Sequence, residues 1–370
     1  MKPIKERVLF IGAGAVGSYL GGWLSATGHS VTIIDPWHEQ VEYVNEHGIE
    51  VSGPHDTFVA KPRMLHLHQS EKIAREQLFN FGFIAMKAYD TEWSAQFINK
   101  FIHPDGLVIS AQNCWPDQEI AYIVGRDRAA GLGMSNISVE SYEPGKVSRP
   151  GHSRMRDMGH DVFRLGLHHK EDTKEQGKIR KELEKIRNAL DVIDSSVITE
   201  NLWGERWAKL CQNCMGNPVV AMSNLGTAEL AADEVCRKLQ INLAREATEI
   251  GEKLGLDFDK FGGAGKDMWL QSDDKDIYLD ENRYIELLIL FAHDTWHDFY
   301  GSKVKEGISE WSHSFEKMRS GLNGGRMNMA RQQFPKKFFP TITQKPFSKQ
   351  MLEKSKSDFG IKQMPLLKTL

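Results

Sequence analysis

The chain has 370 residues, 40% hydrophobic and 26% charged, with a formal net charge of -3. That length suits about two domains, each able to bury a core without disulfides or metals. The near balance of 47 basic and 50 acidic residues argues against a nucleic-acid or membrane-surface partner, and no apolar stretch is long enough to span a bilayer.

In chain order, VLFIG (8–12) is a short apolar run that meets glycines and then an alanine- and leucine-bearing helix to about Thr27. VTIID (31–35), FGFIAM (81–86) and LVISAQ (107–112) are further strands. Strands separated by helices predict an α/β fold with a parallel, doubly wound sheet. The segments 129–149, with a turn at Glu143-Pro144-Gly145, and 162–167 are expected to finish or extend that sheet. Residues 170–190 predict a charged amphipathic helix with a solvated face. From Asn201 to about Leu254 almost everything suits helix, and strand-like alternation disappears. We therefore expect a dinucleotide-binding domain over 1–197, a helical substrate and dimerisation domain over 198–335, and an extended tail over 336–370. Four cysteines in so long a chain make no disulfide framework. The N-terminal MKPIKERVLFIGAG runs into a glycine turn without a signal-peptide layout, so a cytoplasmic protein is expected.

GAGAVG places Gly12, Gly14 and Gly17 in the G-x-G-x-x-G pattern, directly after a strand and opening a helix at Ala15 and Val16. In that context the first glycine permits the tight turn and the second lets backbone approach a pyrophosphate. The third allows close helix–strand packing. Asp35 ends the second strand, 18 residues after Gly17. An acid there can accept hydrogen bonds from the adenosine ribose hydroxyls, and its charge would oppose a 2′-phosphate. The residues that follow are Pro36, Trp37 and His38, with no arginine, so NAD is expected over NADP. A basic residue from elsewhere in the chain remains an alternative route to NADP.

KLCQNCMGN (209–217) holds two patterns at once. With Lys209 set at 0° on a helix that advances about 100° per residue, Asn213 falls near 40° and Asn217 near 80°. The three form one polar stripe. Cys211 and Cys214 fall near 200° and 140°, on the far side. The C-x-x-C pair has no second pair to complete a zinc site and lies mid-helix, so the cysteines are expected to be small buried hydrophobes. His293 and His297 stand at i, i+4 in HDTWH, but an H-E-x-x-H glutamate is absent and no third ligand is evident. No metal is expected there, at His66 and His68, or at His168 and His169.

The chain resembles the ketopantoate reductase family, the 2-dehydropantoate 2-reductases. The resemblance rests on G-x-G-A-V-G, MKAYDT, SAQN and the W-x-K-L-x-x-N-x-x-x-N helix in that order, over roughly residues 5 to 255. It implies a Rossmann domain followed by an all-α domain, working as a homodimer on a small molecule. It also implies that Lys209 is the general acid toward a substrate carbonyl and that Asn213 and Asn217 bind substrate. Lys87 would sit near nicotinamide and substrate, Asn113 would lie between the two, and Ser314 would bind substrate. Three features depart from the family pattern. Cys114 and Trp115 follow Asn113 where glycine is usual, which is expected to place bulk on the substrate side. No glutamate occurs in GGRMNMARQQF (324–334), and the segment from about Gly262 to Gly307 is long and rich in aromatics. Asp35 also replaces the basic cofactor signal common in the family. The sequence thus points to an NAD-dependent oxidoreductase acting on a small oxo or hydroxy compound, with a carboxylic acid favoured. Ketopantoate reduction with NADPH and a non-catalytic dinucleotide-binding sensor are the alternatives.

Overall fold

A computed structural model describes residues 6–257, apart from 54–56, 136, 151–153, 159–160, 169–173, 224–229 and 231–232. It falls into two compact units that divide between Arg206 and Trp207. In the first unit, β1 (Arg7–Ile11), α1 (Ala15–Ala26), β2 (Ser30–Asp35) and α2 (His38–His47) come first. They are followed by β3 (Ile49–Ser52), β4 (Phe58–Ala60), β5 (Arg63–His66), β6 (Phe79–Ile84), α3 (Thr91–Ile98), β7 (Ile102–Ser110) and α4 (Asp117–Val124). Next come β8 (Ala129–Met134), β9 (Glu140–Glu143), β10 (Lys146–Ser148), β11 (Phe163–Leu167), α5 (Lys174–Asp191) and β12 (Ser196–Ile198).

Eight strands form the main sheet in the order β12-β11-β8-β7-β6-β1-β2-β5. The run from β8 to β5 is parallel throughout, whereas β11 is antiparallel to β8. Its strands read as continuous apolar runs because both faces are covered. Val8 and Phe10 enter one core with Phe81, Phe83, Leu107 and Ile109, while Leu9 and Ile11 enter the other with Ile84 and Val108. The Phe10 and Phe83 rings stack at 4.7 Å. α5 buries Leu183, Ile186 and Leu190 in the first core and keeps its Glu182–Lys185 and Glu184–Arg187 pairs toward water.

The strands of the 140s depart from the sequence expectation. β8 and β11 do extend the main sheet, but β9 and β10 join β3 and β4 in a separate four-stranded sheet. β10 pairs in parallel with β3, and Gly145 in the β9–β10 turn supplies the carbonyl for the Glu50 N–H at 2.7 Å. The segment's own alternation could not reveal this pairing, because Val147 meets Val51, 96 residues earlier, and no local pattern connects them.

Helix α6 (Leu202–Ser223) begins in the first unit and continues into the second, where α7 (Glu234–Lys253) follows. Among the described residues from Trp207 onward, the regular elements are helical. The Trp207 indole N–H donates to the Ala247 carbonyl at 2.9 Å, joining the two helices. Asp233 caps α7 by accepting the Cys236 N–H at 2.9 Å. No described helix is long and apolar enough to cross a membrane.

Candidate active site

The central strands of the first unit deliver four segments to one edge of the main sheet. The ladder continues past the strand ends, with Gly12 N–H donating to Ile34 O, Ala85 N–H to Ile11 O and Ala111 N–H to Ile84 O, each at 2.9 Å. The glycine turn, Asp35, the Lys87 segment and the Asn113 segment therefore share the C-terminal edge of β2, β1, β6 and β7. Strand order reverses between β1 and β6, the position where open α/β sheets bind ligands.

The turn requires its glycines. Gly12 has φ +102°, and a Cβ there would lie 2.8 Å from Ala85 O. A Cβ on Gly17 would stand 2.0 Å from Gly12 O. Gly14 precedes α1 with no side-chain cap, which leaves the first helical N–H groups to a ligand or water. Ala15 and Val16 open the helix, buried and half-buried respectively. These observations fit a dinucleotide pyrophosphate: a turn with no room for side chains at Gly12 and Gly17, followed by a helix N-terminus without a side-chain cap.

Asp35 is buried, and each carboxylate oxygen accepts a backbone N–H: Oδ2 from Ala13 at 2.5 Å and Oδ1 from Trp37 at 2.7 Å. Buried Gln40 braces the same turn from behind. Its amide donates to Ala13 O at 3.3 Å and to the Ser18 hydroxyl at 3.2 Å, and its carbonyl accepts the Gly145 N–H at 2.8 Å. The second sheet thus grips the glycine turn through one side chain that the sequence reading missed.

Lys87 is half-buried and precedes the single turn Ala88–Asp90, where Asp90 N–H donates to Lys87 O at 2.9 Å. Burial raises the Asp90 carboxyl above its usual range. Asn113 is half-buried, and Cys114 beside it is exposed with φ +70°. Among the described residues Cys114 is the only non-glycine with positive φ, a conformation that favours glycine. The Trp115 ring lies 4.6 Å from that of Trp203, which is 4.5 Å from His168. The Trp115 ring thus packs on the start of α6.

Two buried side chains beside these segments, Arg206 and Asp117, were also absent from the sequence reading. Arg206 donates through Nη1 to Gln112 O at 2.6 Å and through Nη2 to Ser110 O and to Asp117, both at 3.0 Å. The Arg206–Asp117 ion pair is 4% and 5% exposed. The sequence offered little signal for this pair, since Asp117 stands in SAQNCWPDQE and Arg206 in GERWAKL among other polar and charged residues.

In the second unit, Lys209 and Asn213 are buried at 7% and 9% exposure, and Asn217 is half-buried. The stripe is therefore no solvated helix face. Pro218, directly after it, removes one N–H from the ladder of α6. Cys211 is 1% exposed and lies 3.6 Å from the Thr248 hydroxyl. Burial pushes its thiol up to about 12, partly offset by that hydroxyl. Neither Cys211 nor Cys214 is in a disulfide, and among the described residues no group of three or more His, Cys, Asp or Glu is arranged to hold a metal. Ser314, His293, His297, the aromatic 262–307 segment and the 336–370 tail lie outside the described residues.

Comparison with known proteins gives concordant results. The model of the family described as "Ketopantoate reductase PanE/ApbA" matches residues 8–158, and that of "Ketopantoate reductase PanE/ApbA C terminal" matches residues 201–278. A 2-dehydropantoate 2-reductase of Pyrococcus horikoshii is 23% identical over 253 residues, 68% of this chain and 76% of the relative. One from Archaeoglobus fulgidus is 24% identical over 256 residues, 69% and 76% of the two chains. Among solved structures, D-mandelate dehydrogenase with NADH and anilino(oxo)acetate aligns with a TM-score of 0.58 at 18% identity, covering 79% of this chain and 84% of the other. The 2-dehydropantoate 2-reductase of Geobacter metallireducens GS-15 aligns with a TM-score of 0.57 at 18% identity, covering 80% and 97%.

Proposed function

The chain belongs to the ketopantoate reductase family, and from that premise we propose that it is an NAD-dependent oxidoreductase reducing a small 2-oxo acid to the 2-hydroxy acid, or the reverse. Membership makes it an NAD(P)-dependent oxidoreductase acting on a CH–OH/C=O pair. The observation that carries the finer reading is the pairing of the glycine cradle with buried Asp35 at the end of β2.

Gly12, Gly14, Ala15, Val16 and Gly17 hold the pyrophosphate against the N-terminus of α1. Asp35 accepts from the adenosine ribose, since a carboxylate oxygen can take more than one donor. The same charge disfavours a 2′-phosphate, which supports NAD over NADP. When bound, the nicotinamide supplies or accepts the hydride. Lys209 places its ammonium on the substrate carbonyl oxygen, stabilises the charge that grows there and gives it a proton. In the oxidative direction the same nitrogen, once neutral, takes the hydroxyl proton. Asn213 and Asn217, one and two helical turns further on, hold the substrate's polar groups, with Ser314 assigned the same duty. Lys87 and Asn113 orient substrate and nicotinamide from the strand edge. The working assembly in this reading is a homodimer.

The test is a panel of 2-oxo acids, ketopantoate included, assayed with NADH and with NADPH by the absorbance of the reduced nicotinamide. Turnover favouring NADH supports the reading. Turnover confined to ketopantoate with NADPH replaces it with ketopantoate reduction proper.

A further inference from the structure

We propose that Gln112 is a positioning residue that yokes the Lys87 segment to the Asn113 segment; the proposal rests on the roles given above to those two residues. Gln112 is 4% exposed and immediately precedes Asn113. Its amide nitrogen donates to Lys87 O at 3.2 Å and to Thr91 Oγ1 at 3.0 Å. The amide orientation follows from chemistry. Lys87 O can only accept, and the Thr91 hydroxyl proton is already directed at Ala88 O at 2.6 Å, so Thr91 Oγ1 faces Gln112 as an acceptor. The NH₂ group must therefore point at the Lys87 segment, and buried Oε1 has no hydrogen-bond partner among the described residues.

The backbone of the same residue is fixed from the other side. Gln112 O accepts the Arg206 guanidinium at 2.6 Å, and that guanidinium is itself held by Asp117 and Ser110 O. Arg206 thus anchors Gln112, and Gln112 sets the spacing between the loops that follow β6 and β7. Two charged or amide groups that act on one reacting centre need relative placement to within a fraction of an ångström, and loops do not supply that without bracing.

The experiment compares Gln112→Leu, Lys87→Ala and the double variant, with Thr91→Val and Thr91→Ser as a second pair that leaves Gln112 intact. The substrate is whichever 2-oxo acid of the panel turns over, and NADH binding is titrated by fluorescence. Gln112→Leu is expected to lower kcat about tenfold or more while the NADH dissociation constant stays within about twofold. The double variant is expected to be no slower than Lys87→Ala, because Gln112 acts through that segment. Thr91→Val should reproduce part of the loss and Thr91→Ser should restore it. Additive losses in the double variant, or wild-type kcat in Gln112→Leu, would overturn the proposal. Amide hydrogen exchange at Asp90 and Thr91 reads the yoke without turnover, and it should quicken in Gln112→Leu. An unchanged exchange rate refutes the yoke, whereas full activity of Lys87→Ala with quickened exchange refutes only the role given to Lys87.

Discussion

Asp35 accepts the Ala13 N–H at 2.5 Å, so the acid at the end of β2 is built into the glycine turn rather than standing beside it. In the function proposed above the carboxylate has two tasks, shaping the turn and presenting charge to the adenosine ribose. Asp35→Asn removes the charge and, because its amide nitrogen cannot accept, also gives up one of the two backbone bonds. It is expected to raise the NADH dissociation constant roughly tenfold, the scale of one hydrogen bond to a charged group, and to narrow discrimination against NADPH. Fluorescence titration with both cofactors checks this, and an unchanged ratio counts against the NAD assignment.

Gly17→Ala is expected to abolish dinucleotide binding, because the new Cβ would stand 2.0 Å from Gly12 O and force the turn open. The same titration reads the result, with circular dichroism to confirm that the fold persists. Retained NADH binding would mean that the turn relaxes more readily than its packing implies.

The turn, the parallel strands and the polar stripe on α6 were legible in the sequence because each is encoded locally. Gly12 and Gly17 mark the turn, uninterrupted apolar runs mark doubly buried strands, and Lys209, Asn213 and Asn217 recur at one helical spacing. The second sheet was not legible, since Val147 meets Val51 through a pairing of distant segments. Nor was the bracing of the site by Gln40, Gln112 and Arg206. A buried glutamine looks like a surface glutamine until its partners are known, and here they lie 27, 25 and 21 residues away in Ala13, Lys87 and Thr91.

The Arg149–Asp194 pair is buried at 1% and 0% exposure with a 2.6 Å contact. Burial pushes the Asp194 carboxyl up, but backbone N–H groups of Arg156 and Ser195, together with the Arg149 guanidinium, hold it below its usual 3.8 overall. A carboxyl lowered in the folded state contributes stability above its unfolded value and loses it as pH falls through the folded value. Asp194→Asn should therefore cost about 3–5 kcal/mol at neutral pH. The gap to wild type should narrow as pH drops below 3.8. Urea midpoints of both proteins across that window check the sign; a gap that widened in acid would contradict it.

Cysteine reactivity separates the two readings of KLCQNCMGN. Cys114 is exposed, whereas Cys211 is buried with its thiol pushed up to about 12. In the native protein an aromatic disulfide reagent should titrate Cys114 rapidly and leave Cys211 protected until denaturant is added. Fast labelling of Cys211, or a Cys211–Cys214 disulfide under mild oxidant, would restore a redox role to the pair.

The central claim is that buried Lys209 gives the proton that accompanies hydride transfer. Single-turnover reduction of the preferred 2-oxo acid by NADH, wild type against Lys209→Ala, tests it most directly. The expected result is a loss of roughly 100-fold or more in the transfer rate, the range of one general acid, with NADH binding unchanged. A Lys209→Ala protein that transfers hydride at the wild-type rate would contradict the account.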